Sequence, residues 1–207
     1  TNDLHKVFVT GVTKFSMTCM FSGPNQVIPI MERTAEFSNL YGFTAEQVEA
    51  AYGDYMVQRG YTEDGALDQT MQQLVQRYNG YRFHPEQTDS DRSLIPFSVV
   101  SYLGTGKMEL YWCKSAVSSA TVQMLGLRCF DILNGFSITQ SDLFQNVGAE
   151  QFASQWQQTA FMSGYATIID AKSMVSKGGW SDFHLTMGPP NEEVRAWLEN
   201  DMVSSLL

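Results

Sequence analysis

The sequence predicts an α+β protein that is mainly α-helical, on three observations. Several stretches carry apolar residues at helical spacing between recognisable caps. Two short β-branched runs near the C-terminal end flank a glycine-containing turn. Hydrophobic residues make up 43% of 207, enough to bury a substantial core in one large domain or two small units in contact. The longest apolar runs, such as residues 97–100 and 166–169, fall far short of the roughly 20 residues that cross a bilayer. Thirteen basic against 22 acidic residues give a net charge of −9, which argues against a broad nucleic-acid footprint.

Residues 6–12 are β-branched and apolar and read as a short buried strand, followed by turn chemistry in "FSGPNQ" and a possible extended piece over 27–30. In "GFTAEQVEAAYGDYMVQRG" a capping box of Thr44 and Gln47 opens a helix with Val48, Ala51, Tyr52 and Tyr55 on its apolar stripe, and Gly60 closes it. A second helix starts near Asp68, with Met71, Leu74, Val75 and Tyr78 on one face. The polar "NGYRFHPEQTDSDRS" follows as a loop. Pro96 is a first-turn proline for "PFSVVSYL", whose end Gly104 marks. Residues 115–125 and 149–162 read as further helices, the latter with Phe152, Trp156, Ala160 and Phe161 inward, and "CFDILNGFSITQSDL" between them is ambiguous. "GYATIIDA" and "DFHLTM" form a β-hairpin around the turn "KSMVSKGGWS". Pro190 opens the last helix, where Glu192 and Glu193 suit the positive end of the helix dipole.

Most of the chemistry that local motifs advertise dissolves on spacing. Gly104-Thr105-Gly106-Lys107 imitates a phosphate-binding loop, but the pattern G-x-x-x-x-G-K-[ST] would need glycine at Ser101 and a hydroxyl at Met108. A helix stop and turn accounts for it instead. Asp170-x-Lys172 matches the D/E-x-K half of a magnesium-dependent nuclease, with Asp142 a poor partner for the second carboxylate. His5, His84 and His184 stand in no metal spacing, and no serine sits in G-x-S-x-G. Cys19, Cys113 and Cys129 form no C-x-x-C pair and read as buried free thiols in a reducing compartment. "YNGYRF", with Arg82, could stack a base, but the acidic composition favours internal packing.

Taken in order, "VFVTGVTKFS", "FSGPN", "YGFTAEQVE", "YNGYRF", "PFSVVSYL", "YWCKS", "SGYATI" and "GPPNEEVR" resemble a bacterial AAA-ATPase-like family whose ATPase domain is often followed by a PD-(D/E)XK nuclease-like domain. The resemblance runs from about Val7 to Arg195 and implies the C-terminal part of such a protein. Residues 1–30 would be a remnant strand and loop of the P-loop core, and 31–130 a helical lid-like region. Residues 131–207 would be a winged-helix-like unit with its hairpin at 164–186 and a C-terminal helix. The phosphate loop would lie before Thr1 and the nuclease-like domain after Leu207, so the ends read as cut, and ATP and magnesium are implied for the parent only. Thr10, Thr13 or Lys14 would sense the γ-phosphate. Tyr78, Gly80, Tyr81, Phe83, Pro96, Phe97, Trp112, Pro190, Asn191 and Glu192 would be structural motif residues. Two departures touch the missing core: Ile95 replaces an expected asparagine, and "VIPIM" replaces a D-I-T-like piece.

The expected function is a non-catalytic lid and interaction region in the cytoplasm, without metal or cofactor of its own. It would contact the ATPase core and nuclease-like domain, and could pair with a second copy through an exposed strand or apolar surface. The alternatives are a nuclease-like domain or remnant using Asp170 and Lys172, or a stand-alone protein-interaction domain.

Overall fold

The computed structural model describes residues 35–62, 66–115, 125–144, 156–175, 179 and 181–202. The expected strand at 6–12, the loop and extended piece after it, Thr10, Thr13, Lys14, Cys19 and His5 lie outside these residues. So do most of the helix expected at 115–125 and the first half of that expected at 149–162. The described architecture is mixed α+β, helices joined to a small three-stranded antiparallel sheet.

A 3-10 turn, Ala35–Tyr41, leads into α1, Ala45–Gln58. The capping box is present as expected: the Gln47 N–H donates to Thr44 Oγ1 (3.3 Å) and the Thr44 N–H to Gln47 Oε1 (3.0 Å). The inward stripe differs from the expected one. Val48, Gly53 and Met56 are buried, whereas Ala51 and Tyr55 are exposed. Gly53 allows this rotation, because Leu67 of the next helix packs directly on its backbone: a Cβ there would lie 2.9 Å from Leu67 Cδ2. Helix α2, Leu67–Tyr78, begins one residue before Asp68 and buries Met71, Leu74 and Tyr78. With α3, Pro96–Thr105, it encloses a core of Val48, Met56, Met71, Leu74, Tyr78, Leu94, Val99, Tyr102 and Leu103. Each fully buried large apolar side chain there contributes about 1.5 to 3 kcal/mol.

Helix α3 runs past Gly104 and ends at Gly106, correcting the expected stop. Gly106 has φ +70°, its N–H donates to Tyr102 O (2.7 Å), and a Cβ on it would meet the Tyr61 ring at 2.6 Å. Gly104 has open space around it and remains helical. A short α4, Tyr111–Ser115, follows.

The ambiguous stretch 129–143 resolves into α5, Cys129–Asn134, strand β1, Phe136–Thr139, and the single turn α6, Gln140–Leu143. Helix α7, Trp156–Met162, precedes the hairpin β2, Thr167–Val175, and β3, Ser181–Gly188. Residues 172–175, expected in the turn, extend β2 instead, and Asp170 lies within the strand beside a bulge between Ile168 and Asp170. The sheet order is β1-β3-β2, with Ile138 opposite Leu185 and Ile168 opposite Met187. One sheet face buries Ile168, Leu185 and Met187 against Leu143 and Phe161. A further core gathers Cys113, Leu125, Cys129, Ile132, Tyr165, Val194 and Trp197. The last helix, α8, Glu192–Trp197, starts after the N-cap Asn191 rather than at Pro190, and continues as a π-helical turn, Leu198–Met202.

Candidate functional site

After α2 the chain leaves helical geometry at Asn79 and crosses the molecule as an extended strap. Tyr78 O accepts from the Ile95 N–H (3.1 Å) and from Asn191 Nδ2 (3.3 Å). Asn191 Oδ1 meanwhile caps α8 by accepting from the Val194 N–H (3.0 Å). Gly80 adopts φ +130°, and a Cβ there would lie 1.9 Å from Pro190 O, so only glycine lets the two backbones touch. Tyr81 exchanges backbone hydrogen bonds with Ser93 (3.2 and 3.0 Å) and its hydroxyl donates to Gly164 O (3.1 Å). The Arg82 N–H donates to Thr167 Oγ1 (2.7 Å), whose hydroxyl donates back to Arg82 O (3.0 Å). Arg92 adds a clip, donating to Gly80 O (3.0 Å) and Ile169 O (3.3 Å). "YNGYRF" is thus the seam between the helical unit, the sheet and α8. Arg82 turns its guanidinium onto the carbonyls of His84 and Pro85 in its own loop.

Behind this seam lies a residue that the motif reading passed over. Glu193 has no exposed surface: Oε2 accepts from Ser98 Oγ (2.7 Å) and Oε1 from the Trp112 N–H (2.8 Å). Burial raises its carboxyl above the ordinary range, while the Ser98 and backbone donors pull the other way. The available signal was an acidic pair after an asparagine cap, and it does not say which member turns inward. Glu192, the one singled out, is exposed and accepts from Gln76 Nε2.

In front of the seam opens a cleft of about 250 Å³ lined by Tyr41, Tyr81, Phe83, Pro96, Trp112 and Gly164 among others. Tyr41 meets Phe83 edge-on (centroids 5.2 Å apart, 61°), and Tyr81 stacks on Phe83 (6.0 Å, 16°). Trp112 packs against Tyr165 (5.2 Å), which stacks on Trp197 (5.1 Å). The structure therefore gathers Tyr81, Phe83, Pro96 and Trp112 around one space, while Tyr78 meets Asn191 and Gly80 meets Pro190 along the strap. Phe97 faces outward from α3, half exposed. A larger polar groove of about 450 Å³, bordered by Thr139, Asp142, Gln157 and His184, lies at the β1 edge. Among the described residues its one carboxylate, Asp142, accepts from the Thr139 hydroxyl (2.7 Å).

The remaining sequence candidates take ordinary places. Lys107 is exposed just after the αL cap of α3, where the Gly106 N–H is spent on Tyr102 O. Asp170 and Lys172 are exposed on β2 and pair with each other at 3.7 Å. Among the described residues no three His, Cys, Asp or Glu side chains converge as for a metal ion. Cys113 and Cys129 are buried and stand outside any disulfide among the described residues.

The fold and the site define a mixed α+β protein in which a helical unit and a small-sheet unit are seamed by an aromatic and glycine strap. Comparison with protein-family models, curated proteins and solved structures found no match.

Proposed function

We propose that this chain is the non-catalytic C-terminal part of an AAA-ATPase-like protein, a lid and interaction region without its own phosphate-binding loop. The observation that carries the reading is the element order α5, β1, α6, α7, β2, β3 with sheet order β1-β3-β2. A helix, a strand, two helices and a hairpin returning beside the first strand is the arrangement expected of a winged-helix-like unit, here placed after a lid-like helical unit. Acidic groups such as Asp131, Asp142, Asp170, Asp182 and Glu199 lie across that unit, which favours a protein partner over nucleic acid. Gly106 as a helix cap supports assigning nucleotide chemistry to a separate core. The two buried cysteines outside any disulfide among the described residues fit a cytoplasmic setting, and among those residues no helix is long and apolar enough to cross a membrane. The nuclease-like alternative has less support, since Asp170 and Lys172 are exposed and satisfy each other.

The test has two parts. The coding sequence upstream should carry G-x-x-x-x-G-K-[ST], and its absence overturns the proposal. This chain alone should neither bind nor turn over magnesium-ATP, and turnover lost on Lys107→Ala would return catalysis to the loop dismissed above.

A further inference from the structure

The aromatic cleft is bordered by one hydrogen-bonding side chain that the protein leaves unused. The main chain on either side of it is already paired. Ser93 and Tyr81 exchange both of their main-chain bonds (3.0 and 3.2 Å), Leu94 and Phe43 do the same (2.7 and 3.2 Å), and the Gly164 N–H donates to Phe161 O (3.1 Å). Gly164 O accepts from the Tyr81 hydroxyl (3.1 Å), and the Ser163 hydroxyl donates to Thr159 O. Among the described residues, the Ser93 hydroxyl alone combines burial, a place in the cleft lining and the lack of any hydrogen-bond partner.

A buried hydroxyl without a partner has given up its water and received nothing in exchange, so a molecule that brings it an oxygen recovers that loss on binding. The rest of the lining defines the molecule. Tyr41, Phe83, Pro96, Trp112 and Met162 offer ring and hydrocarbon surface, and no Asp, Glu, Lys, Arg or His is among the described lining residues, so a charged ligand would shed its water without compensation. At about 250 Å³ the cleft lies below the roughly 300 to 1,000 Å³ of pockets for drug-sized molecules, which suits a single ring. A hydroxyl on that ring donates to Ser93 or accepts from it, whichever way the serine proton turns. With a pKa of about 10, a phenol also keeps its proton at neutral pH.

We propose that this cleft binds a neutral single-ring phenol, its hydroxyl on Ser93 Oγ and its ring among Tyr41, Phe83, Trp112 and Met162. The site goes beyond the lid reading and stands whether or not that reading holds.

Titration of the full chain with phenol and with toluene, its isostere lacking the oxygen, tests this by two-dimensional NMR. Phenol should shift the Trp112 indole resonance and bind about fivefold more tightly than toluene, the worth of one net hydrogen bond. Ser93→Ala should bring phenol down to the affinity of toluene and leave toluene unchanged. It should also unfold no earlier than the unmodified chain, because the hydroxyl it removes has no partner inside the protein. Tyr41→Ala, at the exposed rim, should weaken both probes. N-acetyl-tyrosine amide carries the same ring on a peptide backbone: affinity equal to that of phenol identifies a tyrosine of another protein as the source, and weaker binding identifies a free phenolic molecule. Equal affinity of the unmodified chain for phenol and toluene would reduce the cleft to an apolar crevice and overturn the proposal. So would the absence of any Trp112 shift with phenol, a phenol preference that survives Ser93→Ala, earlier unfolding of that variant, or undiminished binding by Tyr41→Ala.

Discussion

Glu193 sits where a carboxylate is costly, and its surroundings only partly offset the cost. Hydrogen bonds from Ser98 and the Trp112 backbone favour the ionised form, but burial outweighs them and its carboxyl stays above the ordinary glutamate value of about 4.3. A group that holds its proton more tightly folded than unfolded stabilises the fold fully below its unfolded pKa, and loses that contribution as pH rises through the folded one. Stability relative to a Glu193→Gln variant should therefore fall as pH rises from about 4 into the range above. Urea unfolding of both proteins across that range checks the sign; a difference that grows with pH would show that the donors win over burial. The sequence made the capping role of Asn191 readable, because Asn-Glu-Glu before an apolar run is helix-start grammar. Which glutamate turns inward depends on where α3 and α4 stand, and no local pattern encodes that.

At the scale of elements, the end of α3 shows how local grammar can be right in kind and wrong in place. Two glycines stood two residues apart, and either could stop the helix. Tyr61, more than forty positions earlier, chooses Gly106 by placing its ring where a Cβ would go. Gly104→Ala should then stabilise the protein by about 0.5 to 1 kcal/mol, as for a glycine inside a helix. Gly106→Ala should cost at least about 2 kcal/mol, through its left-handed backbone and the clash with Tyr61. Thermal unfolding of the pair separates the two, and equal effects would contradict the assigned cap. Strand β2 carries a similar lesson. Residues 172–175 look like turn material, yet pairing with β3 extends the ladder to Val175 opposite Ser181. Strand β1 stays ambiguous in the sequence because four residues between two helical turns show too little alternation to be read, and its strand character comes from lying beside β3.

Across the whole molecule, the helical core and the cores around the sheet are separate clusters, tied by the strap that carries Gly80, Tyr81 and Arg82. This arrangement predicts one cooperative unfolding transition. All four tryptophans, at 112, 156, 180 and 197, follow the helical core in sequence, whereas far-UV circular dichroism also reads α1, α2 and α3. The fluorescence and dichroism curves should coincide in the unmodified chain. Thr167→Val deletes both side-chain bonds to Arg82 and should cost about 1 to 3 kcal/mol and pull the two curves apart. If they remain superimposed at the lower midpoint, the units are coupled by more than the strap. The sequence by itself determined the class, the principal helices, the hairpin and the failure of the Gly-Lys loop as a phosphate site, because caps, periodicity and motif spacing act over a few residues. Only the tertiary structure decided which glycine ends α3, which glutamate is buried, where β1 pairs and that Tyr81, Phe83 and Trp112 share one cleft. Those outcomes depend on contacts between residues tens of positions apart, where steric exclusion and the loss of water, rather than local propensity, set the energy.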